Sequence, residues 1–161
     1  MGFLNTHDII YKHQYGFRPN HNTSHPVLHL SEKIYSALNQ SPSATTITIF
    51  IDLKKAFDTV NHDILLEKMR RYGIRDTANL WFTNYLSNRE QFVSINGADS
   101  EKEKILCGVP QGSVLGPLLF LLFINDLPKA TGFFTLLFAD DTTFQISNTN
   151  IETLLMMQIL S

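Results

Sequence analysis

Two aspartates, Asp140 and Asp141, stand side by side within an apolar stretch, LLFADDTTF at 136–144. Ionised carboxylates repel one another and resist burial, so such a pair is either lifted into water by a turn or neutralised by a positive partner. Asp52 is the candidate third acid. It follows TTITIFI at 45–51, a run that is β-branched almost throughout and reads as a strand, and the carboxyl end of a strand is a place where sheets present functional groups. If that strand neighbours the one carrying the acidic pair, all three carboxylates meet despite their distance along the chain. Three converging carboxylates need protons or a cation. Hard divalent ions such as Mg²⁺ take oxygen ligands, and two of them about 3.5–4 Å apart stabilise both the entering and the leaving oxygen of a phosphoryl displacement.

The elements that must position these acids are legible along the chain. Residues 21–39 carry Val27, Leu28, Leu30, Ile34, Tyr35 and Leu38 at near-helical spacing, with Thr23 or Ser24 placed to cap the start. A break at 40–43 precedes the strand at 45–51. DILLEKMRRY at 63–72 reads as a helix that Gly73 terminates, and a second helix covers 77–86. Residues 91–95 lead into Asn96-Gly97, a hairpin turn signal, with 104–107 as the return strand. Gly116-Pro117 opens a helix that Pro128 stops. Residues 133–139 form a strand, Asp140-Asp141 a turn, and 142–146 the return. Helices mixed with hairpins predict an α+β fold rather than a doubly wound parallel sheet.

Composition sets the bounds. A chain of 161 residues with 43% apolar content fits one domain with a single core. A net charge of −2 lacks the basic excess of a self-sufficient nucleic-acid binder. The single cysteine, Cys107, excludes an internal disulfide framework or a multi-cysteine zinc site and reads as a small buried thiol beside a turn. The N-terminus has no positively charged lead before a long apolar run, and the greasiest stretch, 114–124, is shorter than the ~20 residues of a membrane span. A soluble, intracellular-type domain is expected.

Other chemistries fit less well. His21, His25 and His29 recur at every fourth position, but no acid or thiol completes a zinc set. An aspartyl-nucleophile phosphatase wants a second aspartate two residues after Asp52, where Lys54 stands. A Ser-His-Asp hydrolase of the Gly-x-Ser-x-Gly type has no matching elbow here.

Four blocks then identify a resemblance: QYGFRPNHNT at 14–23, FIDLKKAFDTVNH at 50–62, GVPQGSVLGPLLF at 108–120 and FADDTT at 138–143. In order and rough spacing they resemble a reverse transcriptase (RNA-directed DNA polymerase) of the non-LTR, LINE-type, jockey-like retrotransposon class. The resemblance implies a right-hand polymerase palm with part of the fingers, a small antiparallel sheet backed by helices. It divides this single partial domain at about residue 45 into a fingers part (1–45) and a palm (46–150), with no thumb. It makes Asp52 and Asp140 catalytic metal ligands and Asp141 the second acid of the pair, with a less direct ligand role. The ions are two Mg²⁺, for which Mn²⁺ can substitute. Phe138 stands where many retroviral relatives have tyrosine.

Phe57, five residues after Asp52, matches the steric gate whose ring leaves no room for a ribose 2′-hydroxyl. Gln111 and Gly112 match the element lining the nucleotide pocket and template strand, and Arg18 a template-side residue of the fingers. Asp58 reads as structural support for the turn after the strand, and Lys54 and Lys55 as an exposed, solvated face. The implied partners are an RNA template, a DNA primer and deoxynucleoside triphosphates, with no membrane, in the nucleus or cytoplasm.

The rival expectation is a truncated, non-catalytic retrotransposon remnant, at most a weak nucleic-acid or protein binding module. On the resemblance, a basic finger block would lie before residue 1, and a lysine-bearing block, primer grip and thumb beyond Ser161. That accounts for the missing positive charge. It also predicts weak, salt-sensitive nucleic-acid binding by this chain alone, since affinity follows the number of phosphate contacts.

Overall fold

The computed structural model describes residues 2–154 of the chain. Its elements run α1 (Gly2–Thr6), α2 (Ser24–Leu38), β1 (Thr45–Ile51), α3 (His62–Arg71), α4 (Asp76–Leu86), β2 (Glu90–Gln91), β3 (Ser94–Ile95), β4 (Ala98–Asp99), β5 (Glu103–Lys104), α5 (Gly116–Ile124), α6 (Leu127–Thr131), β6 (Phe134–Phe138) and β7 (Asp141–Asn148). Helices with short antiparallel sheets make the expected α+β class. The chain divides into two compact units: residues up to Lys54 together with those from Ile124 onward, and residues 55–123 between them.

The first unit is built on a three-stranded antiparallel sheet in the order β1-β7-β6. β6 and β7 are joined by a two-residue turn, and β1, distant in sequence, adds to the far edge of β7 from Thr45 opposite Asn148 to Ile51 opposite Thr142. Thr142, Phe144, Gln145 and Ile146 of β7 are buried while Asp141 and Ser147 are exposed. α2 packs against this sheet. Its amino end is closed by the side chain of Asn22, which accepts from the Ser24 and His25 amides at 3.1 and 3.2 Å. Thr23 makes no side-chain capping bond, so the capping expected of Thr23 or Ser24 falls to the neighbour whose oxygen reaches both N–H groups.

The second unit centres on α3, α4 and α5. Asn61 caps α3 by accepting from the Ile64 amide at 3.0 Å. At the other end Gly73, at φ +89°, lets its N–H reach the Arg70 carbonyl and that of Ile74 reach Met69, a Schellman closure. Leu65, Met69, Leu119, Leu121 and Leu122 are almost fully buried. Four consecutive buried residues, Leu119 to Leu122, fit a helix that is apolar on all sides.

Several local expectations change. Asn96 and Gly97 both take positive φ, the signature of a type I′ hairpin. A two-residue turn returns the chain at once, so Ser94–Ile95 pair with Ala98–Asp99 rather than with 104–107, and Lys104 pairs instead with Glu90. Pro128 does not end the α5 helix; it stands in the first turn of α6, where its missing N–H costs nothing. Asp141 is the first residue of β7 rather than part of the turn, which consists of Ala139 and Asp140. Cys107 is exposed rather than buried, in a segment that forms a β-bridge with Asn61.

Candidate active site

The β1–β7 ladder ends with Ile51 opposite Thr142. Asp52 is the residue that follows β1, and Asp141 is the first residue of β7. Directly opposed residues of antiparallel strands have Cα atoms about 4.5–5.5 Å apart, so the register carries these two positions to the same end of the sheet. Asp140 precedes Asp141 in the turn. Asp52 and Asp141 are exposed and Asp140 is half-buried.

The donor set is all carboxylate oxygen and open to solvent, which suits a hard divalent ion. Among the described residues, however, no three His, Cys, Asp or Glu side chains gather closely enough to hold a metal. An all-protein cage is therefore not what this end of the sheet offers. It fits the Mg²⁺ mode in which one or two carboxylates hold the ion and substrate phosphates and water complete its octahedron.

The acidic turn is held from behind by a segment whose contribution the sequence did not disclose. Ala139 sits at φ +59°, a region a residue with a Cβ enters reluctantly. Its N–H donates to the side-chain oxygen of Gln14 at 3.1 Å, and the same oxygen accepts from the Gly16 N–H at 2.8 Å. Gln14 bridges Leu137 in parallel, with Leu137 N–H donating to His13 and Tyr15 N–H to Leu137. A Cβ at Gly16 would fall 2.1 Å from the Ala139 nitrogen, so only glycine permits this approach. The Arg18 guanidinium donates to the carbonyls of Tyr11 and Gln14 at 3.4 and 3.3 Å, tying the segment to itself. The QYGFR block was visible in the sequence, but its only residue with an evident chemical role was Arg18.

Around Tyr15 the histidines form an aromatic cluster rather than a metal set. The Tyr15 hydroxyl is hydrogen-bonded to His29 and, at 3.2 Å, to His13, and the His21 and His25 rings lie 5.6 and 6.3 Å from its ring. Burial lowers the His13 pKa to about 4, with the charges of Lys12, His29 and Lys33 acting in the same direction. Burial raises that of Tyr15.

In the second unit, the segment after β1 is stitched to the Gly108–Gly112 loop. The Gly108 and Val109 amides donate to the Val60 and Phe57 carbonyls, each at 2.8 Å, and His62 Nε2–H donates to the Gly108 carbonyl at 2.7 Å. Gly108 has φ +88°, and a Cβ there would lie 2.8 Å from the Asp58 carbonyl oxygen. Gln111 Nε2 donates to Asp58 Oδ1 at 2.7 Å, so Asp58 braces the loop. Phe57 is half-buried and stacks on Phe120, centroids 4.5 Å apart. Gly112, at φ +77°, has open space where a Cβ would be. Ser113 accepts from the Gly116 amide at 2.9 Å and starts α5. Lys54 and Lys55 are exposed as expected.

The comparisons agree with the blocks. A model of the family described as reverse transcriptase (RNA-dependent DNA polymerase) matches residues 2–161. The chain is 36% identical over 126 residues to the "Probable RNA-directed DNA polymerase from transposon BS" of Drosophila melanogaster, covering 74% of this chain and 13% of that protein. To the "Probable RNA-directed DNA polymerase from transposon X-element" of the same species it is 33% identical over 129 residues, covering 80% of this chain and 14% of that protein. To the "RNA-directed DNA polymerase from mobile element jockey" of that species it is 36% identical over 120 residues, covering 74% and 13%. The chain thus spans about an eighth of the length of these relatives. With a family match running through both acid-bearing strands and relatives from jockey-like, non-LTR elements, this chain belongs to the reverse transcriptase family.

Proposed function

We propose that this chain is the catalytic palm, with part of the fingers, of an RNA-directed DNA polymerase. Residues 1–45 are the fingers part and 46–150 the palm. The observation that supports the reading is the β1–β7 register, which puts Ile51, the residue before Asp52, opposite Thr142, the residue after Asp141. In the reaction, a primer 3′-hydroxyl oxygen attacks the α-phosphorus of a deoxynucleoside triphosphate. The bond from that phosphorus to the bridging oxygen of the β-phosphate breaks, pyrophosphate leaves, and the hydroxyl proton passes to solvent.

Asp52 and Asp140 would hold the divalent ions, and Asp141 would add negative charge beside them. When bound, Mg²⁺ lowers the pKa of the attacking hydroxyl and neutralises the triphosphate. The chain's remaining roles concern fit. Phe57 closes the space a 2′-hydroxyl would need, its ring backed by Phe120. Gln111 and Gly112 line the pocket for the new base pair, the Gln111 amide oriented by Asp58. Arg18 folds the segment behind the acidic turn through one guanidinium nitrogen and serves as the template-side residue of the fingers. RNA as the template follows the names of the relatives.

Primer extension with Mg²⁺ on an annealed RNA template tests the reading, comparing this chain, a longer chain extended at both ends, and Asp140→Ala in each. Extension by the wild type that Asp140→Ala abolishes supports the proposal. No extension from either wild type favours a non-catalytic remnant.

A further inference from the structure

We propose that Gln14 is a positioning residue for the acidic turn, fixing Asp140 through the backbone N–H of Ala139; this rests on the polymerase reading above. Gln14 is only 1% exposed, and its side-chain oxygen serves two backbone donors, Gly16 and Ala139. The second donor belongs to the residue immediately before Asp140, whose φ of +59° must be held by its surroundings.

Gln14 is itself fixed on three sides. The His13 carbonyl and Tyr15 amide are both bonded to Leu137 of β6. The Gln14 carbonyl accepts from Arg18. Gly16 lies so close to Ala139 that a methyl group would not fit between them.

The other end of the same side chain has no hydrogen-bond partner among the described residues: Gln14 Nε2 is buried and unpaired. A buried N–H without a partner is costly. The amide's structural contribution therefore comes from its oxygen, and the oxygen's two partners are the turn and the glycine that abuts it. Gln14 makes no hydrogen bond to an aspartate. It acts on the acids only by fixing the backbone from which Asp140 projects, and a displacement of about 1 Å at a reacting centre can cost a hundredfold in rate.

The test uses the full chain and Mn²⁺ alone as the probe, so it requires no polymerase activity. Residue-resolved amide exchange and Mn²⁺ titration are measured for wild type, Gln14→Met, Gln14→Glu, Asp52→Asn, Asp140→Asn and Leu65→Ala. Gln14→Met keeps the bulk but lacks the acceptor, Gln14→Glu keeps the acceptor, and Leu65→Ala destabilises the other unit. Exchange at Ala139 and Gly16 should quicken about tenfold in Gln14→Met, beyond any change in Leu65→Ala, and return towards wild type in Gln14→Glu. Mn²⁺ should bind about tenfold more weakly to Gln14→Met than to wild type or Leu65→Ala.

Unchanged exchange at Ala139 in Gln14→Met overturns the proposal. So does an unchanged Mn²⁺ affinity in Gln14→Met when Asp140→Asn weakens it, and in that case the polymerase reading stands. Mn²⁺ binding indifferent to both Asp52→Asn and Asp140→Asn overturns the polymerase reading, and this inference with it. Should Gln14→Met fail to fold, Gln14→Asn replaces it: the amide is kept and its reach shortened, and the same outcomes apply.

Discussion

Gly16 and Ala139 touch backbone to backbone: a Cβ added to the glycine would sit 2.1 Å from the alanine nitrogen and 2.8 Å from its Cα. Through this contact a segment early in the chain reaches the turn that carries Asp140.

Gly16→Ala should therefore be among the more damaging small substitutions in this protein. Its methyl group meets backbone, which cannot rotate away, and overpacking of this kind costs about 1–3 kcal/mol. Urea unfolding followed by circular dichroism should give a lower midpoint with an unchanged slope. A midpoint equal to that of wild type would mean the two segments separate freely.

Neutralising one acid should separate activity from stability. Like charges gathered at one end of a sheet repel one another. Asp52→Asn is thus expected to be neutral or slightly stabilising while abolishing Mg²⁺-dependent extension. A loss of stability with extension retained would make Asp52 a structural residue and remove it from the site.

Phe57→Val should raise incorporation of ribonucleotides relative to deoxynucleotides in an extension assay. It should also cost about 1–2 kcal/mol, because the ring stacks on Phe120. Unchanged sugar discrimination would refute the gate, whatever happens to stability.

Acid should weaken the first unit through His13. Its folded pKa of about 4 lies below the ordinary 6.5, so between those values the unfolded chain binds a proton that the folded chain refuses. The associated stability is complete above pH 6.5 and is lost as pH falls towards 4. The groups around the ring include Tyr11, Tyr15, His29, Lys12, Lys33 and Phe134, and the cations among them disfavour its protonation. Thermal melts of wild type and His13→Phe across this window should show a shallower pH slope in the variant. Parallel slopes would assign the acid sensitivity elsewhere.

The amino-acid sequence alone determined what depends on neighbours within a few residues. The β-branched run at 45–51 forms β1, and Gly73 closes the end of α3. Asn96-Gly97 makes its hairpin, and the four blocks carry the family. These features rest on local dihedral preference, capping and side-chain period, which few tertiary contacts override. Pro128 begins α6 rather than ending α5, and a proline that ends one helix looks like one that begins the next until the spacing to the following element is known.

Only the tertiary structure decided which strand lies beside β1, that Cys107 faces solvent, and that the side-chain oxygen of Gln14 supports Ala139. Strand order and buried hydrogen bonds join residues 91 to 125 positions apart. Nothing in the residues adjoining either partner encodes such a contact; it exists only once the intervening chain has folded and brought the two ends together.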